Sequence, residues 1–269
     1  MTSVWNSVYP QRAMATLHKL TALRKKISHR KVKSFCGPTH CVDLLFDFNL
    51  NLNKMKRQVD LLMFDLDGTL ANTGPDLADA VNFTRSHFDL TPLAAQRIYA
   101  NVGRGVEHLV RNSLTIKSAE QFNEALRVFL AYYETHLLDK TVLYPGVRAV
   151  LDEFRGKRRV VVTNKNQRLA QAVLRGLGID DRFDLILGGD SAAEKKPHPA
   201  VLNLALQRFN TAAPRALMVG DGDTDVEAGK RAGVITCAAT YGLGDKGQLI
   251  AAKPDVLIER FTELPNYFY

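Results

Sequence analysis

The chain has 269 residues, of which 46% are hydrophobic and 24% are charged, so it can bury a full hydrophobic core. No uninterrupted apolar run is long enough to span a bilayer, and three cysteines do not make a disulfide framework. The formal net charge of +8 belongs to the N-terminus, because residues 1–58 contain 11 Lys and Arg but only 2 acidic residues. The rest of the chain is close to neutral, so we expect its main body to bind neither nucleic acid nor membrane and to be cytoplasmic.

The basic segment 1–58 has three interpretations. It is a disordered tail, a presequence of the organelle type, or the result of an assigned start that lies too early. We favour the third, since a start at Met55 would place the first predicted strand at the N-terminus. A tail that binds nucleic acid would instead show salt-sensitive binding that disappears when residues 1–54 are removed. A zinc site here is disfavoured, because its candidate ligands are loosely spaced: His29, Cys36, His40 and Cys41.

The first predicted strand is the apolar run 61–64, which reads as a buried strand and ends in two acidic residues. Asp65 and Asp67 are one residue apart, so their side chains start out on the same side of the chain. Two such carboxylates are costly to bury unless a positive group lies between them, and Mg²⁺ is the obvious candidate. Gly68 permits a sharp turn that brings backbone N–H groups toward an anion. The alternative is an ordinary acidic turn after a strand.

The next region, 76–142, carries helical patterns and no strand signal. Predicted helices cover 76–88 and Pro92–Ala100, and a third begins at Ser118, with Gln121 completing a capping box. The stretch separates the first strand from the next by about 90 residues, whereas a simple crossover needs only ~30. We therefore predict an inserted helical cap.

Within this region, Gly103-Arg104-Gly105 breaks the helical pattern. Arg104, flanked by two glycines, could reach a carboxylate or second anion of a substrate in a bidentate way. An ordinary exposed loop arginine is the alternative.

The second half alternates strands with helices, which predicts a parallel sheet with right-handed crossovers. Strands are predicted at 159–163, 183–187, 216–220, 234–238 and 255–258. In such sheets ligands bind at the carboxyl ends of the strands, and polar residues follow several of them here. They are Thr163, Asn164, Lys196, Asp221 and Asp225. Each alone has a structural explanation, such as a helix cap, a surface lysine or a turn, but together they indicate one site.

In this order these residues resemble the four motifs of the phosphatase branch of the haloacid dehalogenase (HAD) superfamily. The match covers about 61–260. It implies an α/β, doubly wound parallel-sheet (Rossmann-like) core, formed by 59–75 and 143–269, with a helical cap at 76–142. Within that branch the chain is similar to phosphoglycolate phosphatases in three stretches: Gly68–Leu77, Val102–Gly105 and Tyr144–Val147. It departs from them at Asn72, where those relatives usually have Asp, and at Gly222-Asp223, where Ser or Thr often follows the motif Asp.

The resemblance also implies roles for the site residues. Asp65 would be the nucleophile that forms an aspartyl-phosphate, and Asp67 the general acid and base. Mg²⁺ would be held by Asp65, the backbone carbonyl of Asp67 and Asp221, with Asp225 orienting the surrounding shell. Phosphate-binding groups would hold the phosphoryl oxygens. They are Gly68, Thr163, the N–H of Asn164, and Lys196.

The function that this implies is a Mg²⁺-dependent phosphomonoester hydrolase for a small metabolite, with 2-phosphoglycolate as the favoured substrate. Pyrophosphate, a sugar phosphate or a nucleotide is the alternative. Dehalogenase and phosphomutase activities fit the residues less well. A binding protein without catalysis would have lost Asp65, Asp67 or Lys196, and all three are present. The oligomeric state stays open between monomer and homodimer.

Overall fold

The structure, a computed structural model, describes residues 56–269. Its strands are β1 (Leu61–Phe64), β2 (Ala71–Asn72), β3 (Val142–Leu143), β4 (Arg158–Val162), β5 (Leu185–Leu187), β6 (Ala216–Gly220), β7 (Ile235–Ala239) and β8 (Val256–Ile258). Its α-helices are α1 (Gly74–His87), α2 (Ala95–Tyr99), α3 (Val106–Ser113), α4 (Ala119–His136), α5 (Val147–Glu153), α6 (Gln167–Gly176), α7 (Ala200–Arg208), α8 (Asp223–Ala232), α9 (Lys246–Ala251) and α10 (Leu264–Tyr267). In the described part of the chain, no helix is long and apolar enough to cross a membrane.

Six strands form a parallel sheet in the order β5-β4-β1-β6-β7-β8. β1 lies in the middle, between β4 and β6, and the strand order reverses beside it. This reversal opens a crevice at the carboxyl ends of the central strands, which is where ligands bind in sheets of this kind. The predicted doubly wound α/β fold is confirmed.

β1 is buried on both faces, which explains its unbroken apolar sequence. Leu62 and Phe64 belong to one hydrophobic cluster, and Leu61 and Met63 belong to a second. All four side chains are 0% exposed. Because side chains alternate along a strand, the two clusters lie on opposite faces of the sheet. The strand is therefore a rigid support for the acidic residues that follow it.

β2 and β3 form a separate antiparallel pair, with Ala71 opposite Leu143 and Asn72 opposite Val142. The prediction that 76–142 carries no strand is therefore wrong at its end, because β3 begins at Val142. Strands of two residues carry no alternation that a sequence could reveal, and only the fold brings them together. Helices α1 to α4 all lie between β2 and β3 in the chain.

The helix limits differ from prediction by a few residues in several places. α2 begins at Ala95 rather than Pro92, and α3, α9 and α10 were not predicted. The capping box at α4 is half formed: the Ser118 hydroxyl accepts from the Gln121 N–H at 3.2 Å. The Gln121 side chain instead accepts from the N–H of Lys117.

The folded chain begins before the predicted boundary at residue 59. The Arg57 N–H donates to the Tyr267 carbonyl at 2.7 Å, and the Tyr269 N–H donates to the Arg57 carbonyl at 3.1 Å. These bonds join the start of the described chain to its C-terminus. The rest of the predicted basic extension and its loose zinc cluster lie outside the described residues.

Candidate active site

Asp65 and Asp67 leave the central strand and enter a tight turn at Gly68. Gly68 has a φ of +91°, and a Cβ built there would lie 2.1 Å from a carboxylate oxygen of Asp221. Glycine is therefore required both by the backbone and by this close approach. The Gly68 N–H, which was expected to face an anion, donates instead to the Ala71 carbonyl at 2.8 Å.

Lys196 forms ion pairs with two of the acidic residues. Its Nζ lies 2.8 Å from Asp65 Oδ1 and 2.7 Å from Asp225 Oδ1, and it donates to the Val162 carbonyl at 2.6 Å. Burial alone would lower the pKa of this lysine, but the carboxylates of Asp225 and Asp65 raise it above its usual value. Lys196 therefore remains charged although it is 3% exposed.

Asp221 follows β6 and is held by donors from two loops. Its Oδ1 accepts from the Thr69 hydroxyl at 2.9 Å. Its Oδ2 accepts from the N–H groups of Leu243 and Gly244 at 2.7 and 3.0 Å. Burial, then the charges of Asp65 and Asp225, raise the pKa of Asp221 to about 7, although the two N–H groups oppose this.

The pKa of Asp65 is raised to about 6, first by burial and then by Asp225 and Asp67, against the lowering effect of Lys196. The site thus concentrates more negative charge than Lys196 offsets. Asp65, Asp221 and Asp225 each offer a carboxylate oxygen, and these oxygens lie within 4.8 Å of one another. Hard oxygen donors in this number fit a divalent cation.

Among the described residues, this cluster joins Asp225, which is predicted to orient the surrounding shell, to the predicted carboxylate ligands Asp65 and Asp221. The third predicted ligand is the backbone carbonyl of Asp67. Both oxygens of Asp225 are already engaged. Oδ1 faces Lys196, and Oδ2 accepts from the Gly222 N–H at 3.0 Å.

Asp67 is held by two groups, Thr73 and Lys165, that no sequence motif marks. Thr73 donates its hydroxyl to Asp67 Oδ1 at 2.7 Å. Lys165 Nζ lies 3.0 and 3.2 Å from the two Asp67 oxygens and donates to the Tyr133 hydroxyl at 2.8 Å. The only sequence signal for Lys165 is its position after Thr163-Asn164, and Tyr133 lies within a predicted helix that carries no motif at this position.

Lys165 and Tyr133 keep their ordinary charge states. Burial lowers the pKa of Lys165, but Asp67 and Tyr133 together raise it above its usual value. Burial raises the pKa of Tyr133 to about 12, so its phenol is neutral.

Thr163 and Asn164 follow β4, as predicted. The Thr163 N–H donates to the Leu187 carbonyl at 3.0 Å. The Asn164 side chain bonds both backbone groups of Lys196, at 2.9 and 2.8 Å, and also donates to the Gly103 carbonyl at 2.9 Å. Asn164 therefore ties the Lys196 loop and the 103–105 loop to the end of β4.

Arg104 does not line the cavity beside the carboxylates. Its Nη2 lies 2.5 Å from Asp223 Oδ2, and its side chain is 39% exposed. The ion pair joins the 103–105 loop to the first residue of α8.

The cavity measures about 50 Å³ and lies between the strand ends and the helical segment. Its polar side is formed mainly by Asp65, Asp67, Thr163, Asn164 and Lys165. Its apolar side is formed mainly by Leu77, Val102, Val106, Leu109 and Phe129. Four of the predicted site residues line this cavity: Asp65, Asp67, Thr163 and Asn164. The other predicted site residues do not line it: Gly68, Arg104, Lys196, Asp221 and Asp225.

The sequence profile of the haloacid dehalogenase-like hydrolase family matches residues 62–239. A curated phosphoglycolate phosphatase of Colwellia psychrerythraea is 36% identical over 217 residues, which is 77% of this chain and 96% of that protein. One of Chromobacterium violaceum is 38% identical over 215 residues, with coverage of 77% and 96%.

Solved structures give the same picture. The crystal structure of a predicted phosphoglycolate phosphatase from Haemophilus somnus has a TM-score of 0.75 and 31% identity, and the match covers 78% of this chain and 97% of that one. A haloacid dehalogenase-like family hydrolase from Streptococcus pneumoniae has a TM-score of 0.71 and 27% identity, with coverage of 78% and 98%.

Proposed function

The chain belongs to the haloacid dehalogenase-like hydrolase family, and on that premise we propose that it is a Mg²⁺-dependent phosphatase that converts 2-phosphoglycolate to glycolate and phosphate. The observation that carries this proposal is the pairing of Asp65 with Lys196 at 2.8 Å, with Asp67 opening into the same cavity. The substrate rests on the names of the relatives at 36% and 38% identity.

The proposed chemistry uses the two carboxylates in turn. Asp65 attacks phosphorus, the bond between phosphorus and the substrate oxygen breaks, and Asp67 gives its proton to that oxygen. Water then attacks the aspartyl-phosphate while Asp67 takes one of its protons. This step releases phosphate and restores both carboxyl groups.

The groups around Asp65 would bind the phosphoryl oxygens and the cation in this mechanism. Lys196, the Thr163 hydroxyl and the Asn164 N–H would hold the phosphoryl oxygens as their charge shifts. Asp65, Asp221 and the Asp67 carbonyl would hold Mg²⁺, with Asp225 beside them. When bound, the cation supplies positive charge that lets an anionic nucleophile approach an anionic ester.

We propose that the segment 76–142 acts as a cap over a core made of 59–75 and 143–269. The support is that Leu77, Val106, Leu109 and Phe129, which all belong to the segment, form the apolar wall of the cavity. An apolar wall excludes water from the aspartyl-phosphate until the leaving group has gone.

The test is phosphate release from a panel of esters, with MgCl2 and again with EDTA. We expect 2-phosphoglycolate to give the highest kcat/KM and EDTA to abolish turnover. Asp65→Asn should reduce turnover on the order of 10³-fold or more while leaving the melting temperature nearly unchanged. A different leading ester would overturn the substrate, and substantial turnover by the Asn variant would overturn the assignment of the nucleophile.

A further inference from the structure

Lys165 is a buried lysine to which the proposed chemistry gives no role. Its side chain is 5% exposed, and it lines the cavity together with Asp65 and Asp67. Among the described residues that line this cavity it is the one cation. Burying an ammonium group is costly without a matching anion, so its position calls for a specific reason.

The contacts of Lys165 place its ammonium group beside Asp67, the proposed general acid. An ammonium has three donors, and here two face the Asp67 oxygens at 3.0 and 3.2 Å while one faces the Tyr133 hydroxyl at 2.8 Å. The Tyr133 phenol is neutral, and the proposed mechanism needs Asp67 to carry its proton, so neither of these two contacts then offsets the charge of Lys165. An anion that enters the cavity would meet Lys165 where water is largely excluded, and there charge attraction is strong.

We infer that Lys165 binds the carboxylate of the substrate and thereby sets the preference for a phosphate ester that carries a second anion. This inference rests on the proposed function. The leaving oxygen must lie at Asp67 to receive its proton, and in 2-phosphoglycolate the carbon bonded to that oxygen also bears the carboxylate. The carboxylate is therefore directed to the surroundings of Asp67, where Lys165 is.

Arg104 was the cation expected from the sequence to meet this anion, and its geometry argues against that role. It lies outside the cavity lining and is paired with Asp223 at 2.5 Å. The cavity wall opposite the strand ends is apolar, so it offers no competing charge.

Tyr133 is a positioning residue in this arrangement. It belongs to α4 and is 1% exposed, and its ring centre lies 4.7 Å from Lys165 Nζ. Its hydroxyl and ring together hold the ammonium against Asp67 from the side of the helical segment. The anion site therefore depends on residues from both sides of the cavity.

The experiment compares two esters of similar size, 2-phosphoglycolate and 2-hydroxyethyl phosphate, which has a hydroxymethyl group in place of the carboxylate. We expect Lys165→Met to lower kcat/KM on the order of 100-fold for 2-phosphoglycolate, chiefly through KM, and less than tenfold for 2-hydroxyethyl phosphate. Lys165→Arg should restore part of the preference, because it restores the charge. Arg168→Met is the matched control, since Arg168 lies three residues further on with a 71% exposed side chain.

Several results would overturn the inference. Equal losses on the two esters would mean that Lys165 acts only through Asp67, and collapse of the preference in Arg104→Met would assign the anion to that residue. If the unmodified enzyme itself shows no preference for the carboxylate ester, the proposed substrate fails and the inference fails with it. If the preference exists but survives in Lys165→Met, only the inference fails. Lys165→Gln, which keeps donors without charge, replaces the Met variant if that variant does not fold.

Discussion

At the residue scale, Lys196 decides whether the acidic centre can exist in a folded protein. It lies within 2.8 Å of both Asp65 and Asp225 and is buried with them. Removing one partner of a buried ion pair leaves an uncompensated charge, which costs about 3–5 kcal/mol. In the proposed mechanism the same cation would also hold a phosphoryl oxygen, so stability and chemistry would depend on one side chain.

Lys196→Met should therefore lower the free energy of unfolding by roughly 3 kcal/mol or more and reduce turnover on the order of 10²–10³-fold. Urea unfolding and phosphate release would measure the two effects. Lys195→Met, one residue earlier, is the control and should change both by little. A stable, active Lys196 variant would contradict the proposed role.

The raised pKa values of Asp65 and Asp221, about 6 and about 7, predict how the metal-free protein responds to pH. Both exceed the unfolded value near 4, so the folded form binds more protons between about pH 4 and pH 7. The contribution of these two groups to stability is therefore lost as the pH rises through this window. A divalent cation would offset the loss, since it replaces the protons.

We accordingly expect saturating MgCl2 to raise the melting temperature by roughly 5–10 °C at pH 8 and by clearly less at pH 5. Thermal unfolding at the two pH values, with MgCl2 and with EDTA, tests this. Asp221→Asn should reduce the difference between the MgCl2-induced melting-temperature shifts at pH 8 and pH 5. Equal shifts at both pH values would mean that the cluster does not couple cation binding to protonation.

The residues with proposed chemical roles could be predicted from the sequence, whereas the residues that hold them in place could not. Four of these residues follow strand ends at the spacing of the family motifs, which is visible in the sequence itself. They are Asp65, Asp67, Lys196 and Asp221. Their contacts depend on the fold: the 98 residues between Asp67 and Lys165 give no local sign that the two side chains meet. The partner of the Tyr133 hydroxyl, Lys165, likewise lies 32 residues away in the chain.

At the element scale, Asp76 joins the start of α1 to the end of the helical segment. It is 1% exposed, and its carboxylate accepts from the N–H groups of Lys140 at 2.9 and 3.1 Å and of Thr141 at 2.8 Å. From the sequence alone, an acidic residue here would be explained by the first turn of a helix. In the structure this carboxylate satisfies backbone donors 64 and 65 residues away.

Asp76→Ala should cost about 1–3 kcal/mol, because two buried N–H groups would lose their acceptor. At roughly 2–4 °C per kcal/mol for a protein of this size, the melting temperature should fall by about 2–12 °C. Asp76→Asn keeps an acceptor and should lose less. If the Ala variant melted at the original temperature, water would be satisfying these groups and the contact would not hold the segment.

The long elements were predicted well and the short ones were not. β6 was predicted at its observed limits, Ala216–Gly220, because it is apolar, fully buried and bounded by polar residues. β2 and β3 were missed because pairs of two residues have no pattern of their own, and α9 was missed because a helix of 6 residues shows barely two turns.

At the scale of the whole molecule, residues 56–269 contain all six strands of the parallel sheet described above and every proposed site residue. The backbone of Arg57 bonds to Tyr267 and Tyr269, and the Val59 N–H donates to the Tyr269 carbonyl at 3.0 Å. The start of this unit and its C-terminus therefore support each other.

A chain that begins at Lys56 should fold and retain kcat/KM within about twofold, since the site lies wholly within this unit. A chain that begins at Asp60 loses the bonds of Arg57 and Val59 and should melt several degrees lower, at about 1 kcal/mol per bond. Phosphate release and thermal unfolding of the two truncated chains provide the comparison. A large loss of activity on removing residues 1–55 would give that segment a part in catalysis.

The pairing of β2 with β3 has a consequence for how such an enzyme can change. The chain leaves for the helical segment at Asn72 and returns at Val142, and these two residues are partners in the same ladder. Because the two ends of this segment meet, the segment can be shortened, lengthened or exchanged without distorting the sheet. Tyr133 and the apolar wall of the cavity belong to the segment between these two strands. The residues outside it are Asp65, Asp221 and Lys196. Evolution could therefore change the substrate preference by exchanging this segment, while the residues proposed to break the ester bond stay the same.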